Sequence, residues 1–211
     1  MKKKPCDKRI YCRYIKRGLD LLLSLLLILL LLLPMLIIAV AIRCDSDGGA
    51  LFKQKRRGRC GREFVCYKFR TMYKNAPRDM PASKGYDRSR YVTRVGRLLR
   101  RSSLDELPQL FNVLRGDMSL IGPRPLICEE AEMHRQRLEQ GIYRLRPGIT
   151  GMAQISGRNL LCDEDKLMGD RFYLENVRIG LDLKILLGTL WKVITGEGID
   201  RETQSERKTG G

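Results

Sequence analysis

The stretch Leu29–Ile42, LLLLLPMLIIAVAI, places a single proline inside an otherwise unbroken apolar run. The whole run extends over residues 21–42 and is interrupted only by Ser24 and Pro34. A helix of this length would rise roughly 33 Å, enough to span the hydrocarbon core of a bilayer. The run is too long for the apolar part of a cleaved signal peptide, and no small-residue cleavage site closes it. The sequence therefore predicts a membrane segment, for which a straight transmembrane helix is the simplest form.

Basic residues flank the run on both sides. Lysines and arginines are frequent between Lys2 and Arg17, before the run, and again between Arg43 and Arg59, after it. The positive-inside rule assigns both ends to the cytoplasm. Pro34 removes one helical hydrogen bond and would bend the helix near mid-run. These features favour a re-entrant helix with a proline break, although a straight span stays open because proline also occurs in ordinary membrane helices.

One acidic residue, Asp20, lies at the edge of the apolar run. It lies four positions after Lys16 and three after Arg17, so on a helix both basic side chains would be its neighbours. The spacing predicts an ion pair at the membrane boundary.

Composition narrows the classes of function. The chain of 211 residues has 41 lysines and arginines against 24 aspartates and glutamates, a formal net charge of +17. Nucleic acid, anionic lipid headgroups and phosphorylated small molecules would all suit such a surface. His134 is the only histidine, which excludes a His-centred triad and a multi-histidine metal site. The seven cysteines form no C-x-x-C pair and predict reduced thiols.

A mainly helical α+β domain is predicted to follow the membrane segment. Residues 50–54 and 63–69 have strand-like content, and the glycines between them predict a short β-hairpin. Helices are predicted over VGRLLRR and over ELPQLFNVL, the second ending at Gly116. The amphipathic stretch Leu181–Ile194 fits a core-facing helix and a helix at the membrane interface equally well.

Three regions are thus predicted along the chain. Residues 1–45 form a basic N-terminus with the re-entrant membrane helix, and residues 46–199 form a catalytic domain at the cytosolic face. Residues 200–211 are a disordered polar tail. Within the domain, the polar stretch Asn75–Arg90 is predicted to be a loop.

Two adjacent carboxylates, Asp105 and Glu106, occur in the stretch SSLDELPQL at the start of a predicted helix. Taken alone, the pair favours helix capping, with Asp105 as N-cap or with Ser103 and Glu106 as a capping box. Their surroundings favour a functional site instead, because two arginines lie one turn upstream and the stretch GPRP follows at residues 122–125.

Two proline-rich and glycine-rich stretches suggest what such a site would bind. GPRP holds Arg124 on a stiff backbone, which suits a guanidinium that grips phosphate, or forms a rigid turn with a solvated arginine. RPGITG, residues 146–151, offers backbone amides to an anion, or forms a tight corner. Together they describe a diphosphate site beside two carboxylates. Because like charges repel, a hard cation such as Mg²⁺ is implied, and one carboxylate could then attack phosphorus.

Five ordered blocks resemble the monotopic phosphoglycosyl transferases, the bacterial sugar transferases that initiate glycan assembly on polyprenyl phosphate. The blocks are KRGLD, FKQKRRG, YKFRTM, RSSLDELPQLFNVLRGDMSLIGPRP and RPGITGMAQISGRN. The resemblance covers most of the chain, from about Lys16 to about Ile199. Without a large N-terminal domain, the chain is similar to the small, minimal members.

The resemblance implies a reaction. Asp105 would be the nucleophile that attacks the β-phosphorus of a UDP-sugar, so that UMP leaves and a phosphosugar stays on the aspartate. A polyprenyl phosphate such as undecaprenyl phosphate, reaching the site along the re-entrant helix, would then take the phosphosugar. Glu106, with Asp105, would hold Mg²⁺. The substrate-binding residues it implies are Lys68, Arg100, Pro123, Arg124 and Pro125.

The resemblance also implies a place in the cell, the cytoplasmic face of the bacterial inner membrane. Membrane lipids would be partners, nucleic acid would not, and a homodimer is a further candidate assembly. Two positions depart from the family pattern: Leu33 stands where a serine commonly precedes the proline, and Gly48-Gly49 stands where Gly-Pro usually leads into the first strand.

Two other classes of function compete with this one. A membrane-tethered nucleic-acid-binding protein would suit the charge, but an aromatic content of 7% leaves few platforms for base stacking. An inactive scaffold of a glycan assembly complex would not need Asp105, Glu106 and Arg124, all of which are present.

Overall fold

The computed structural model describes residues 10–76, 89–157 and 162–195. These residues are mainly helical, with an antiparallel β-hairpin and one pair of short parallel strands, which confirms the predicted α+β class. The helices are α1 Lys16–Asp45, α2 Arg94–Ser102, α3 Gln109–Arg115, α4 Ala131–Glu139, α5 Met152–Ser156, α6 Asp163–Asn176 and α7 Ile179–Thr195. The strands are β1 Leu51–Arg57, β2 Glu63–Phe69, β3 Ser119–Ile121 and β4 Gly148–Thr150. The tail 200–211 and most of the loop predicted over Asn75–Arg90 lie outside the described residues.

The apolar run forms α1, a 30-residue helix entered through a π-helical turn at Tyr11–Ile15. Among the described residues it is the one helix long and apolar enough to cross a membrane. Helical backbone continues through Pro34, and the break there stays a prediction. Its exposed leucines include Leu30 and Leu33, at 70% and 67% exposure. The buried residues recur on one face and are Asp20, Ser24, Ile28, Met35 and Ile42.

Both ends of α1 are fixed to the same folded body. Near the start, the Arg17 guanidinium donates to the carbonyls of Val113 and Leu114 at the end of α3, at 2.8 and 3.2 Å. At the other end, the Asp45 carboxylate accepts the backbone N–H of Val95 in α2 at 3.0 Å. The helix therefore lies along the domain instead of leaving it.

The core has three clusters, and α1 contributes to the first two. The largest is formed by Ile28, Cys66, Leu110, Val113, Met118, Leu120, Ile121, Leu145, Tyr173, Val177, Leu181 and Ile185. A second, under the later half of α1, contains Met35, Ile42, Phe69 and Leu99. A third, between α4 and α6, contains Leu126, Met133, Ile142 and Leu167. Apolar side chains at every other turn of α1 thus contribute to the core.

Asp20 does not make the predicted ion pair. It is 4% exposed, and its Oδ1 accepts the backbone N–H of Leu120 in β3 at 3.0 Å. Lys16 instead donates to Asp182 of α7 at 2.9 Å. The prediction was wrong because it considered only neighbours on the same helix, whereas a buried carboxylate takes the donors that tertiary packing supplies.

The β-hairpin is confirmed. β1 and β2 pair antiparallel, from Leu51 opposite Phe69 to Arg57 opposite Glu63, so β1 runs three residues beyond the predicted end at Gln54. The hairpin places the inward residues of β2 against α3 and the later part of α1.

The stretch RPGITG forms β4, which pairs parallel to β3. The Gly148 amide donates to the Pro123 carbonyl at 2.9 Å, and the Gly122 amide donates to the Thr150 carbonyl at 2.8 Å. A Cβ on Gly148 would lie 2.1 Å from the Gly122 nitrogen, so only glycine permits this approach. Of the two interpretations of this stretch, backbone amides for an anion or a tight corner, the first was wrong at Gly148, because its N–H donates to the Pro123 carbonyl.

The predicted helices are confirmed, and α7 packs one face on the core, as the first of its two interpretations predicts, while its position at a membrane interface stays a prediction. The α3 helix ends at Arg115, and Gly116 caps it in the left-handed conformation, with φ of 91°. In α7, Leu181 and Ile185 are buried in the core. Its outer face exposes Ile179, Leu183, Leu187, Leu190, Trp191 and Ile194. Among the cysteines, Cys44, Cys60, Cys66, Cys128 and Cys162 are free, as predicted, whereas Cys12 is disulfide-bonded.

Candidate active site

The two carboxylates lie on a 3-10 turn, Leu104–Glu106, between α2 and α3. Ser103 enters the turn in the left-handed region, with φ of 58°, and makes no capping bond. The residue before α3 is Pro108, and no side chain caps that helix. The capping interpretation was therefore wrong, and the carboxylates are available for contacts with other elements.

Glu106 meets two cations from distant parts of the chain. Lys68 of β2 places its Nζ 2.5 Å from Glu106 Oε1, and both side chains are 19% exposed. Arg124 places Nη2 3.4 Å from the same oxygen and is 44% exposed. Glu106 also raises the pKa of Arg124, followed by a smaller contribution from Asp105. The structure thus brings together four residues that the sequence had singled out.

Asp105 lies among charges of both signs. Burial raises the pKa of this carboxyl, and the neighbouring carboxylate of Glu106 acts in the same direction. Lys68, Arg100 and Arg124 oppose them, Lys68 most strongly. The pKa of Asp105 is raised overall, so burial outweighs the three cations, which still surround this half-buried carboxylate with positive charge.

Arg100 is held at the site by the segment after β2. Its Nε donates to Thr71 Oγ1 at 3.0 Å. The same segment fixes the start of α2, because the Thr93 amide donates to the Thr71 carbonyl at 3.1 Å and the Thr93 hydroxyl caps Gly96. The direction of Arg100 therefore depends on how α2 packs on residue 71.

Pro123 and Pro125 flank Arg124, and the carbonyls of both prolines accept hydrogen bonds from other elements. Behind this loop lies Arg56 of β1, whose Nη1 donates to the Pro125 carbonyl at 2.6 Å and whose Nη2 donates to Gln54 at 2.7 Å. Burial lowers the pKa of Arg56, and Arg124 adds to this effect. Sequence reasoning missed Arg56, although alternation along β1 turns Gln54 and Arg56 to the same, less exposed side. An inward arginine on a strand is itself a signal, because it needs buried acceptors.

The donor set for a metal ion consists of two carboxylates. Among the described residues there is no group of three or more His, Cys, Asp or Glu side chains that could hold one. Mg²⁺ is commonly held by one or two carboxylates, with phosphate oxygens and water completing its shell. Asp105 and Glu106 therefore fit a cation shared with a diphosphate, and they do not fit a site made by protein alone.

Comparison with known protein families then decides the class. The family model described as bacterial sugar transferase matches residues 11–196, nearly the whole chain. The chain belongs to the bacterial sugar transferase family. The match includes every element of the candidate site, from β2 to the GPRP loop.

Relatives agree with this assignment. The sugar transferase is 40% identical over 198 residues to the uncharacterized sugar transferase EpsL of Bacillus subtilis. The aligned region covers 93% of this chain and 96% of that protein. It is 42% identical over 189 residues to the UDP-glucose:undecaprenyl-phosphate glucose-1-phosphate transferase of Caulobacter vibrioides, covering 85% and 70%. It is 36% identical over 201 residues to the undecaprenyl-phosphate galactose phosphotransferase of Salmonella typhimurium, covering 88% and 42%. The sugar transferase is an enzyme, a phosphoglycosyl transferase.

Proposed function

We propose that this sugar transferase moves a sugar 1-phosphate from a UDP-sugar to undecaprenyl phosphate and releases UMP. The names of the relatives from Caulobacter vibrioides and Salmonella typhimurium support this general reaction. The observation that carries it is the juxtaposition of Asp105 and Glu106 with cations from three separate elements. Such a site attracts a diphosphate and keeps a carboxylate beside it.

The reaction is written in two displacements. An oxygen of Asp105 attacks the β-phosphorus of the UDP-sugar, and the bond from that phosphorus to UMP breaks, with UMP leaving with the electron pair. The phosphosugar is then an acyl phosphate on Asp105. An oxygen of undecaprenyl phosphate attacks the same phosphorus, and the Asp105 carboxylate leaves. Each step forms one P–O bond and breaks another, so no histidine is needed as a general base.

The cations have distinct roles in this scheme. Arg124 lies on the rigid GPRP loop and would bind the nucleotide phosphates. Lys68 and Arg100 would stabilise charge on the transferred phosphate. Glu106 with Asp105 would hold Mg²⁺, which would neutralise phosphate charge. Lys68, by binding Glu106, fixes the direction of that carboxylate.

We propose further that the sugar transferase is monotopic and lies on the cytoplasmic face of the membrane. Both ends of α1 bind the domain, as the contacts of Arg17 and Asp45 with α3 and α2 illustrate. A straight span would carry one end to the far side of the bilayer, about 30 Å away from the domain. A re-entrant path, with α1 shallow in the membrane, keeps both ends and the basic flanks on one face. The exposed apolar face of α7 is compatible with a position at the same interface.

The first experiment is UMP release by the detergent-purified protein with Mg²⁺, undecaprenyl phosphate and a panel of UDP-sugars. We expect one or a few sugars to support release, and Asp105→Asn to reduce the rate by at least about 1,000-fold because the nucleophile is lost. Asp163→Asn, an exposed aspartate of α6 paired with Lys166, is the matched control and should keep full activity.

Trapping the intermediate tests the covalent step separately. With a UDP-sugar labelled in the sugar and no undecaprenyl phosphate, label should attach to wild-type protein and not to Asp105→Asn. Absence of UMP release with any sugar, in folded protein, would support the scaffold alternative. Salt-dependent oligonucleotide binding that is unchanged in Asp105→Asn would support the nucleic-acid alternative.

A further inference from the structure

The loop that carries Arg124 is fixed through its carbonyl groups. Pro123 and Pro125 have no N–H, so their carbonyls are the only backbone groups with which they can form hydrogen bonds. Three consecutive carbonyls are each bound by a different element. The Pro123 carbonyl accepts the Gly148 amide of β4 at 2.9 Å, and the Pro125 carbonyl accepts Arg56 Nη1 of β1 at 2.6 Å.

The carbonyl of Arg124 itself accepts a side chain from α4. Arg137 Nη1 donates to it at 2.7 Å. The other terminal nitrogen, Nη2, donates to Asp170 Oδ2 of α6, and the two side chains are 4% and 2% exposed. The planar guanidinium thus joins a carboxylate on one helix to the backbone of the GPRP loop.

Stability alone does not account for this ion pair. Burying two charges costs desolvation that their attraction often only offsets, and apolar residues in their place are frequently as stable. The Arg137 guanidinium is a rigid group that donates both to Asp170 of α6 and to the backbone of the GPRP loop. Two apolar side chains could not make this connection. The specific contribution of the ion pair is therefore to the position of the residue 124 backbone.

The side chain of Arg124 has little else to set its direction. It is 44% exposed, and its 3.4 Å approach to Glu106 is longer than a good charged hydrogen bond. The direction of the Arg124 guanidinium thus depends mainly on the position of the residue 124 backbone. A shift of about 1 Å in a group that binds the reacting phosphate can cost about 100-fold in rate.

We propose that Arg137, oriented by Asp170, is a positioning residue that directs Arg124 at the nucleotide phosphates. This inference rests on the proposed function, in which Arg124 binds the UDP-sugar. Arg137 does not touch substrate in this scheme and acts only through the backbone of residue 124.

The test compares Arg137→Met with Arg135→Met, an arginine on the same helix that is 60% exposed and pairs with Glu132 and Glu139. We measure kcat and KM for the UDP-sugar and for undecaprenyl phosphate, and binding of UDP by calorimetry. Arg137→Met should lower kcat/KM for the UDP-sugar by about 10- to 100-fold and weaken UDP binding, with KM for undecaprenyl phosphate unchanged. Arg135→Met should match wild type.

A second pair of variants separates positioning from folding. Arg137→Met/Asp170→Leu removes both buried charges, so it should fold as stably as wild type and still show the defect. In an Arg124→Met background, adding Arg137→Met should change kcat/KM by less than about twofold, because its effect passes through Arg124.

The outcomes distinguish this inference from the proposed function. Unchanged KM and unchanged UDP binding, with kcat falling only in proportion to folded protein, would show a merely structural role. A full additional loss in the Arg124→Met background would also overturn the inference. If wild type binds UDP but releases no UMP, the proposed function fails while UDP binding by Arg137→Met still decides the positioning role. If wild type neither binds UDP nor releases UMP, both fail.

Discussion

At the residue scale, buried polar side chains of this sugar transferase are placed by the partners that tertiary packing brings to them. Glu106 binds a lysine 38 residues away, and Asp20 binds a backbone amide 100 residues away. Asp20 lies within α1 and Glu106 within the 3-10 turn before α3, and neither side chain caps a helix. Changing such a residue therefore alters a contact between elements, with little effect on the local helix.

Asp20→Leu should destabilise the protein although it makes α1 more apolar. The substitution leaves the Leu120 amide buried without its acceptor, which costs about 1–3 kcal/mol. Thermal unfolding in detergent measures the effect. Asp20→Asn keeps an oxygen in the same place and should lose less. A variant Asp20→Leu as stable as wild type would mean that this hydrogen bond contributes nothing.

His134 predicts how stability responds to acid. It is 5% exposed, its Nε2 lies 2.8 Å from the Ile127 carbonyl, and burial lowers its pKa below the ordinary value. Below about pH 6.5 the unfolded chain therefore takes up a proton that the folded chain resists, so stability falls as pH falls through that value.

The measurement is the free energy of unfolding between about pH 8 and about pH 5.5, for wild type and His134→Gln. Wild type should lose stability on acidification with a slope of at most about 1.4 kcal/mol per pH unit from this group. His134→Gln is expected to be less stable overall but to show a flatter pH dependence. Equal slopes in the two proteins would contradict the assignment.

At the element scale, α2 is positioned by a close approach of backbones. A Cβ on Gly96 would lie 2.1 Å from the Thr71 carbonyl oxygen, so the helix can pack on this segment only with glycine there. The same contact places Arg100, whose Nε binds Thr71. Helix packing and the charge around Asp105 are therefore coupled.

Gly96→Ala should destabilise the sugar transferase by about 1–3 kcal/mol, because the methyl group forces α2 away from residue 71. In an unhindered helix the same change stabilises by about 0.5–1 kcal/mol. Gly180→Ala in α7, where a Cβ meets nothing within 4 Å, is the control and should be neutral or stabilising. Thermal unfolding and UMP release are compared. A loss of stability in Gly96→Ala no larger than in Gly180→Ala would contradict this account, and Gly96→Ala should also reduce activity through Arg100.

At the scale of the whole molecule, the monotopic arrangement makes a clear prediction about accessibility. Cys44 is exposed at the end of α1, and Tyr14, before its start, is 66% exposed. In a re-entrant arrangement, Cys44 and a cysteine in Tyr14→Cys should both react with a membrane-impermeant maleimide in inverted vesicles, and neither should react in intact spheroplasts.

Peptide mapping identifies which cysteine carries the label. Exposed Cys60, on the β-hairpin, is an internal marker for the face that carries the catalytic domain. A straight span would label Cys44 and Tyr14→Cys from opposite sides. That result would overturn the monotopic proposal without affecting the proposed reaction.

Several features of this protein followed from the sequence alone, because they depend on local pattern. The uninterrupted apolar run determined α1, and the alternation and glycines of residues 50–69 determined the hairpin. The order of the motif blocks indicated the family. The resemblance predicted that one site contains Lys68, Asp105, Glu106 and Arg124.

Only the tertiary structure decided which groups pair, because pairing depends on distances between elements far apart in the chain. The stretch RPGITG contains strand β4 because β3 pairs with it. The Asp20 carboxylate accepts a hydrogen bond from the Leu120 amide of β3. Arg56 of β1 and Arg137 of α4 donate hydrogen bonds to carbonyls of the GPRP loop because these elements pack around it. Local pattern sets what each element can form, and the burial of polar groups, which must find donors and acceptors, sets how the elements meet.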